Sequence, residues 1–490
     1  MKLKAKNLRW LAGRPVIILT PETAKEMNIH VNERVGIVHN KKKIYAVVDI
    51  FSNLIKDNEV GISEELLTFL PIKNGSYVDV FPADLFSGGR IIKKKLMGER
   101  LSEEEIHTLI SEISHNNLTE AEIAFFVSAE QFHGMDKKEL IALTKSMIKT
   151  GNKINFNKKI IADKHCIGGI AGNRTTPLVV SICAAAGLTI PKTSSRAITS
   201  AAGTADTMET LTRVDFPQDK LVKIVNKVGA CLVWNGSLNL SPSDDKIIHV
   251  ERLLNLDVEP QLIASIMSKK IAAGSNRVLI DIPYGGGKIN SLEKAKELGR
   301  KFEFVAKKFK IRLKVVYTLG NQPIGDGIGP VLEMFDIINV LRGDGPEDLK
   351  EKSISLSASL LALCDYKTPK KLARELLESG KAYEKFKEIV NAQNEANDFE
   401  KRIEKLKLAK FSKTFIVNKD KIIRKIDNKK INLLCRVLGA PQTKTAGVFL
   451  YKKIGRITKG EKLITLYSES EYKLRDAIKY FQEFEPIVLK

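Results

Sequence analysis

Residues 163–177 read DKHCIGGIAGNRTTP, and residues 192–211 read KTSSRAITSAAGTADTMETL. Each segment leaves a short apolar strand and enters a helix through small, hydroxyl-bearing and cationic residues. In the first, Ile160 and Ile161 end the strand, Gly168, Gly169 and Gly172 let the backbone fold tightly, and Thr176 followed by Pro177 reads as an N-cap and first helical position. Free N–H groups and the positive end of a helix favour an anion, and Lys164, His165 and Arg174 add charge and donors. In the second, Ser194, Ser195, Arg196, Thr199, Ser200 and Thr204 crowd hydroxyls and a guanidinium into the turn. One glycine-rich turn is often no more than a compact connection. Two of them on successive strands of a βαβ pattern would lie side by side on the carboxyl edge of one parallel sheet, which implies a ligand with more than one phosphate position.

Outward from these turns the alternation continues. KIIADKHC (159–166), GLTIPKTSS (187–195), GACLVWNGS (229–237), NRVLIDIPYGG (276–286) and KIRLKVVYTLG (310–320) read as the strands of a doubly wound α/β domain. Before them lies a helical stretch: Ser102 with Glu105, Thr119 with Glu122 and Asp136 with Glu139 have capping-box spacing, and Gly134 and Gly151 fit helix ends. Ile106, Leu109, Ile110 and Ile113 share a face, as do Leu140, Leu143 and Met147, and core packing accounts for both. The helical run 241–274 interrupts the α/β alternation and reads as an excursion returning to the helical domain, so that a cleft is expected between the two. The first 84 residues are strand-rich and carry an internal echo at a shift of 43, matching Leu19 with Ile62, Met27 with Leu70, Ile29 with Ile72 and Val35 with Val78. That predicts a small duplicated β barrel suited to assembly. The expected class is α/β plus α+β, divided into an N-terminal β-rich domain (1–84), a helical domain (85–155 with 240–273), an α/β phosphate-binding domain (156–239 and 274–412) and a C-terminal α+β domain (413–490).

At 490 residues and 43% hydrophobic the chain can bury several cores. No apolar run approaches the ~20 residues that span a bilayer, and MKLKAKNLRW lacks a signal-peptide pattern, so the cytoplasm is expected. Cys166, Cys183, Cys231, Cys364 and Cys435 are odd in number and free of CxxC spacing, which argues against a disulfide framework or structural zinc. Seven histidines form no metal-binding spacing, and no metal or cofactor is predicted. A net charge of +22 raises nucleic-acid binding, but the lysines are interleaved with acidic residues and lack a recognition helix or aromatic stacking motif. The same positive potential attracts phosphorylated small molecules.

These motifs, together with GMDKKELIALTKSMIKTG (134–151), LDVEPQLIASIMSKKIAAG (256–274) and LGNQPIGDGIGPVLE (319–333), resemble the nucleoside phosphorylases of the thymidine phosphorylase type, above all their archaeal AMP phosphorylase branch. The resemblance runs from near Ser87 to the end of the chain, and an extra N-terminal domain also matches that branch. It implies attack of inorganic phosphate, as co-substrate, on C1′ of a nucleoside 5′-monophosphate. By resemblance, Lys164, Cys166, Thr176 and Thr204 hold inorganic phosphate, with Cys166 replacing the usual serine and AGNRTT carrying one extra residue. Gly169 lets the nucleotide approach the backbone. Ser194, Ser195, Arg196, Ala197, Ile198, Thr199, Ser200 and Thr204 match the stretch that wraps the nucleotide, with Arg196 or its hydroxyl neighbours expected at the 5′-phosphate. Ser265 and Lys269, four apart on one helical face, match positions that meet the base, and Lys288 in PYGGGK matches a nucleotide-contacting lysine.

Asp257 matches the branch's proton donor; without the resemblance it reads as an N-cap before Glu259 and Pro260. A carboxyl with an ordinary pKa of about 3.9 needs burial to donate near neutrality, which a closing cleft could give. The expected reaction releases adenine and ribose 1,5-bisphosphate through an oxocarbenium-like transition state, with AMP, and also CMP and UMP, as candidate substrates. His165 could orient phosphate or bond a backbone carbonyl. The alternatives are a thymidine or pyrimidine nucleoside phosphorylase, weakened because Val250 stands where those enzymes carry a pyrimidine-reading arginine, then a phosphoribosyltransferase, then a nucleic-acid-binding protein. The N-terminal domain suggests a homo-oligomer, a dimer or higher.

Overall fold

The computed structural model describes residues 1–82, 87–197, 200–254 and 256–490. The chain forms two compact units, Met1–Thr150 with Pro242–Leu262, and Gly151–Ser241 with Ile263–Lys490.

In the first unit six strands, Lys2–Asn7, Val16–Leu19, Arg34–His39, Lys42–Ile50, Glu59–Ile62 and Tyr77–Pro82, close a barrel in the order first, fifth, second, fourth, third, sixth. The two halves pair alike: first with fifth and fourth with second are parallel, while first with sixth and fourth with third are antiparallel. The short helices Pro21–Glu26 and Glu64–Phe69 start 43 residues apart, the spacing of the sequence echo. Alternation places Ile17, Leu19, Val35, Ile37, Val60, Ile62, Val78 and Val80 inside.

Helices Ser87–Leu96, Glu103–Ser114, Glu120–His133, Lys137–Thr150 and Pro242–Leu254 complete this unit. Both Ser102 and Thr119 form reciprocal capping boxes, Asp136 and Glu139 exchange side-chain to backbone bonds at 2.9 Å each, and Gly134 ends its helix at φ 64°. Their shared faces are buried at Ile106, Leu109, Ile110, Ile113, Leu143 and Met147. From the barrel, the Arg34 guanidinium donates to Glu122 at 3.0 Å and to the Asn117 carbonyl, tying barrel to helices within the unit. The domain limit expected at 84/85 falls on residues outside those described.

The second unit is built on parallel strands. Ala162–Cys166, Arg277–Tyr284 and Arg312–Leu319 form one sheet with the second strand central, and Ile190–Ser194 pairs with Ala230–Trp234. A parallel bridge from Ile161 to Thr189 joins the two, so the strands run fifth, fourth, first, second, third by chain order. The order reverses at the first strand, and a ligand crevice in such a sheet opens at the carboxyl ends beside that reversal. Pro242–Leu262 belongs to the first unit, and the helix Glu259–Ala272 passes into the second at Ile263. Its later half is held there by Lys270, which pairs with Asp163 at 2.7 Å, and by the Ile154 N–H, which donates to the Ala272 carbonyl at 2.8 Å.

Residues from Phe411 onward form two antiparallel sheets with helices Asn428–Leu438 and Glu471–Phe484. One sheet takes in Gly327–Ile328 as an edge strand against Gly447–Leu450. Ala171 and Ala201, one from each phosphate-type turn, are buried in the same apolar cluster as Ile431, Leu434, Cys435 and Leu438. The C-terminal part therefore shares a core with the turns and lies in the same unit.

Candidate active site

The strand Ala162–Cys166 ends in a turn where Gly168, Gly169 and Gly172 hold φ of 88°, 89° and 66°, a region that glycine enters without steric cost. A Cβ on Gly169 would lie 2.5 Å from the Lys288 backbone nitrogen, so the turn after the fourth strand packs directly on the turn after the first. This is the reversal point of the sheet. The following helix starts two residues before the position that Thr176 and Pro177 suggest: Arg174 is the N-cap, and Thr175 and Thr176 take the first two helical positions. The reason is tertiary, since the Asn173 N–H donates to the Ile324 carbonyl at 2.7 Å and closes the turn early.

Buried Lys164 donates to Thr175 Oγ1 at 2.8 Å and Thr176 Oγ1 at 3.4 Å. Arg174 donates through Nη1 to Thr204 Oγ1 at 3.1 Å, through Nη2 to the Ala202 carbonyl at 2.7 Å, and through Nε to Glu333 at 2.7 Å. All three threonine hydroxyls thus accept from a cation, which leaves each hydroxyl proton to be donated to another acceptor. Two turns some thirty residues apart in sequence are thereby brought to one place. Cys166 Sγ accepts from Asn173 at 3.5 Å. Burial pushes its thiol up from the ordinary range, which suits a neutral neighbour of the anion and not a thiolate nucleophile.

Beneath the turn lies a set of buried ions. Asp163 pairs with Lys270 at 2.7 Å and Lys192 at 3.5 Å, and Asp281 pairs with Lys352 at 3.3 Å. With Lys164, four lysines face two aspartates, and the surplus is positive where an anion would sit. Burial lowers the Lys164 ammonium and brings Lys192 down to about 7. His165 is driven well below its ordinary value, first by burial and then by Lys270, Lys192, Lys164 and Lys269, so it is a neutral imidazole at neutral pH.

In the second turn Gly203 precedes the short helix Thr204–Met208, and Asp206 accepts from the N–H groups of Gly203 at 2.9 Å and Ala197 at 2.6 Å. Ser194 Oγ donates to the Val233 carbonyl at 3.2 Å, Ser200 Oγ donates to the Ala202 carbonyl at 2.9 Å, and Ser195 is exposed. The Arg196 guanidinium lies over the Trp234 ring and donates twice to Glu209, at 2.6 Å each, and to Asp206 at 3.4 Å. Its charge is matched by carboxylates as it stands. Ile198 and Thr199 lie outside the described residues.

Ser265 and Lys269 lie on the helix Glu259–Ala272, the first buried and the second half-buried, and Lys288 is half-buried in the turn against Gly169. Asp257 is exposed and precedes that helix. The Val258 carbonyl accepts from the Leu262 N–H at 2.9 Å, so Val258 holds the cap position and Asp257 lies one residue outside it. Val250 is buried in the helix Pro242–Leu254. Among the described residues, no group of three or more His, Cys, Asp or Glu is arranged to hold a metal ion, and no helix is long and apolar enough to cross a membrane.

Several residues of the site carry no local sequence signal. Glu333 sits inside the quoted 319–333 motif, but its pairing with Arg174 spans 159 positions. Asn428, Asn432 and Lys444 reach the turns from the C-terminal part: Asn428 Oδ1 accepts from the Ala171 N–H and Asn432 Oδ1 from the Ala201 N–H, each at 3.0 Å, and Lys444 pairs with Glu209 at 2.7 Å. Two asparagines four apart at a helix start are the only hint.

Family models match three stretches: a glycosyl transferase family helical bundle domain over residues 90–151, a glycosyl transferase family a/b domain over 158–289, and a pyrimidine nucleoside phosphorylase C-terminal domain over 422–487. The chain is 43% identical over 493 residues to an AMP phosphorylase of Thermococcus kodakarensis, covering 99% of this chain and 97% of that protein. An AMP phosphorylase of Pyrococcus furiosus is 42% identical over 496 residues, covering 100% and 98%. AMP phosphorylase 1 of Archaeoglobus fulgidus is 39% identical over 493 residues, covering 100% and 97%. Among solved structures, anthranilate phosphoribosyltransferase from Thermus thermophilus superposes with a TM-score of 0.53 at 19% identity, over 62% of this chain and 99% of that one, which is a likeness of fold.

Proposed function

The chain belongs to the AMP phosphorylase family, and with that membership as premise we propose how this pentosyltransferase cleaves AMP with inorganic phosphate. Phosphate sits over the Gly168–Gly172 turn, held by the Lys164 ammonium and the hydroxyls of Thr176 and Thr204, with the thiol of Cys166 beside it. One of its oxygens attacks C1′ of the ribose as the bond from C1′ to N9 of adenine breaks. Positive charge develops on the sugar as the base departs, and the anion is both nucleophile and counter-charge. Asp257 gives its proton to the departing adenine at N7, so the base leaves neutral and Asp257 remains as carboxylate. The products are adenine and ribose 1,5-bisphosphate.

The nucleotide is read by the second turn, Gly169, Ser194 to Ser200 and Thr204, and by Ser265, Lys269 and Lys288. For Arg196 to meet the 5′-phosphate it must exchange Glu209 for that anion. Asp257 is exposed and needs to be covered when the base is bound. The neutral imidazole of His165 can orient a phosphate oxygen by donating to it. CMP and UMP remain candidate substrates of the same site. The chemistry uses no cofactor beyond phosphate. The enzyme is proposed to act in the cytoplasm as a homo-oligomer assembled through its barrel, with the four-domain division 1–84, 85–155 with 240–273, 156–239 with 274–412, and 413–490 as its functional parts.

The observation that carries this reading is the convergence of three threonine hydroxyls on Lys164 and Arg174 at the sheet reversal. Chromatography of free base tests it. Adenine should appear from AMP only when phosphate is present, and not from adenosine; release from adenosine or thymidine instead would move the enzyme to the nucleoside phosphorylases.

A further inference from the structure

Asn428, the first residue of the helix Asn428–Leu438, is 1% exposed and makes three bonds with one amide. Its Oδ1 accepts from the Ala171 N–H at 3.0 Å, and its Nδ2 donates to the carbonyls of Gly286 at 3.1 Å and Gly320 at 3.0 Å. These three groups belong to the turns after the first, fourth and fifth strands of the sheet. One helical turn on, buried Asn432 accepts from the Ala201 N–H at 3.0 Å, in the turn after the second strand. Four of the five turns at the carboxyl edge therefore hang from two side chains of one helix. The helix itself is fixed at its start by Asp427, which accepts from the N–H groups of Lys429 at 3.0 Å and Lys430 at 3.2 Å. The surrounding space is filled: a Cβ on Gly286 would lie 2.3 Å from the Gly320 carbonyl oxygen and 3.0 Å from Asn428 Nδ2.

We propose that Asn428 and Asn432 are positioning residues for phosphorolysis, setting the register of the phosphate turn, the Lys288 turn and the Thr204 turn relative to one another. The C-terminal part of the chain is on this view a component of the active site that never touches substrate. The physical reason is that the bonded groups are main-chain. An N–H or carbonyl of a turn has no rotamer with which to compensate, so displacing Ala171 shifts Gly169 and Gly172 together, and displacing Ala201 shifts the entry to Thr204. A misplacement of about 1 Å at a reacting centre costs about 10²-fold in rate. An amide is the one side chain here that supplies both an acceptor for Ala171 and donors for two carbonyls.

The proposal rests on phosphorolysis of AMP, and adenine release by the unsubstituted enzyme is the control in the same assay. Asn428→Asp keeps the oxygen that faces Ala171 but turns a second oxygen toward the two carbonyls. Its kcat/KM should fall about 10²-fold, with KM for AMP rising more than KM for phosphate, because Gly286 lies two residues before Lys288 whereas the Ala171 bond survives. Asn432→Leu should fall by a similar factor, and Asn432→Asp, which retains the accepting oxygen, should recover most of that loss. Circular dichroism of each variant reports the fold, and the Asn432 pair decides the matter if Asn428→Asp does not fold. Variants that keep kcat and both KM values within about threefold of the unsubstituted enzyme would overturn the proposal, whatever their melting temperatures, since a purely structural role moves stability alone. Absence of adenine from the unsubstituted enzyme would instead overturn the phosphorolysis premise and the proposal with it.

Discussion

Arg174 and Thr204 are joined by a hydrogen bond of 3.1 Å from guanidinium to Oγ1, while the same guanidinium donates to buried Glu333 at 2.7 Å. Glu333 is 2% exposed and also accepts from Thr207 Oγ1 at 2.8 Å. Arg174→Met would leave that carboxylate buried without its cation, and removing one partner of such a pair costs roughly 3–5 kcal/mol. Urea denaturation should register a loss of this size. Arg174→Met with Glu333→Leu should regain part of the stability but not the phosphate KM, because Thr204 stays unanchored in both. Full recovery of phosphate KM in the double variant would mean that the guanidinium serves folding alone.

Asp257→Asn removes the proposed acid while leaving shape and hydrogen-bonding capacity nearly unchanged. General acid catalysis contributes on the order of 10²–10⁴-fold, so kcat for adenine release should drop by that amount while AMP binding, measured by calorimetry, is spared. Near-normal turnover would assign proton transfer to another group.

Lys192 is brought down to about 7 by burial, against the opposing attraction of Asp163. An amine lowered in this way is charged below about pH 7 and neutral above it in the folded, ligand-free protein, whereas an unfolded lysine stays charged to about 10.4. The cost of burying the charged form is thus present at low pH and fades as pH rises through that window. Bound phosphate dianion should reverse the shift and draw a proton onto Lys192. Calorimetry of phosphate binding at pH 8 in buffers of different ionisation enthalpy should then reveal net proton uptake. Lys192→Met should abolish it, and equal heats in both buffers for the unsubstituted enzyme would refute the linkage.

The five strands of the sheet are legible because each is a β-rich apolar run flanked by glycine or hydroxyl residues, and the capping boxes at Ser102 and Thr119 because they are local. The start of the helix after the first turn escapes the sequence for a physical reason: Thr176 and Pro177 satisfy the local rules for a cap, but Ile324, far along the chain, receives the Asn173 N–H and closes the turn at Arg174. The passage of the helix Glu259–Ala272 into the second unit carries no local signal, because Lys270 looks like any lysine of an amphipathic helix until its buried partner Asp163 is seen. Arg196 reads as a free phosphate ligand until Glu209 is seen across 13 positions. Beyond their spacing of four, Asn428 and Asn432 offer no pattern to read, since the main-chain groups they bond lie more than a hundred residues away.

Glu209 carries the final prediction. Its carboxylate is held at about 2, first by the paired donors of Arg196 and further by Lys444 at 2.7 Å, so the second turn and the C-terminal part share this one anion. A carboxyl whose folded value is depressed contributes stability that is fully present above its ordinary value and is lost as pH falls from about 4.3 towards about 2. Glu209→Gln should therefore be less stable than the unsubstituted protein at pH 7 and indistinguishable from it near pH 2. Denaturant midpoints of both proteins across that range measure the difference directly. A gap that stays constant with pH would place the effect of the substitution in packing instead of charge. A gap that closes would identify the Arg196, Glu209 and Lys444 cluster as an acid-sensitive fastening of the second turn. In that case AMP should itself loosen the cluster by drawing Arg196 away, and the pH dependence of the gap should weaken when saturating AMP is present without phosphate.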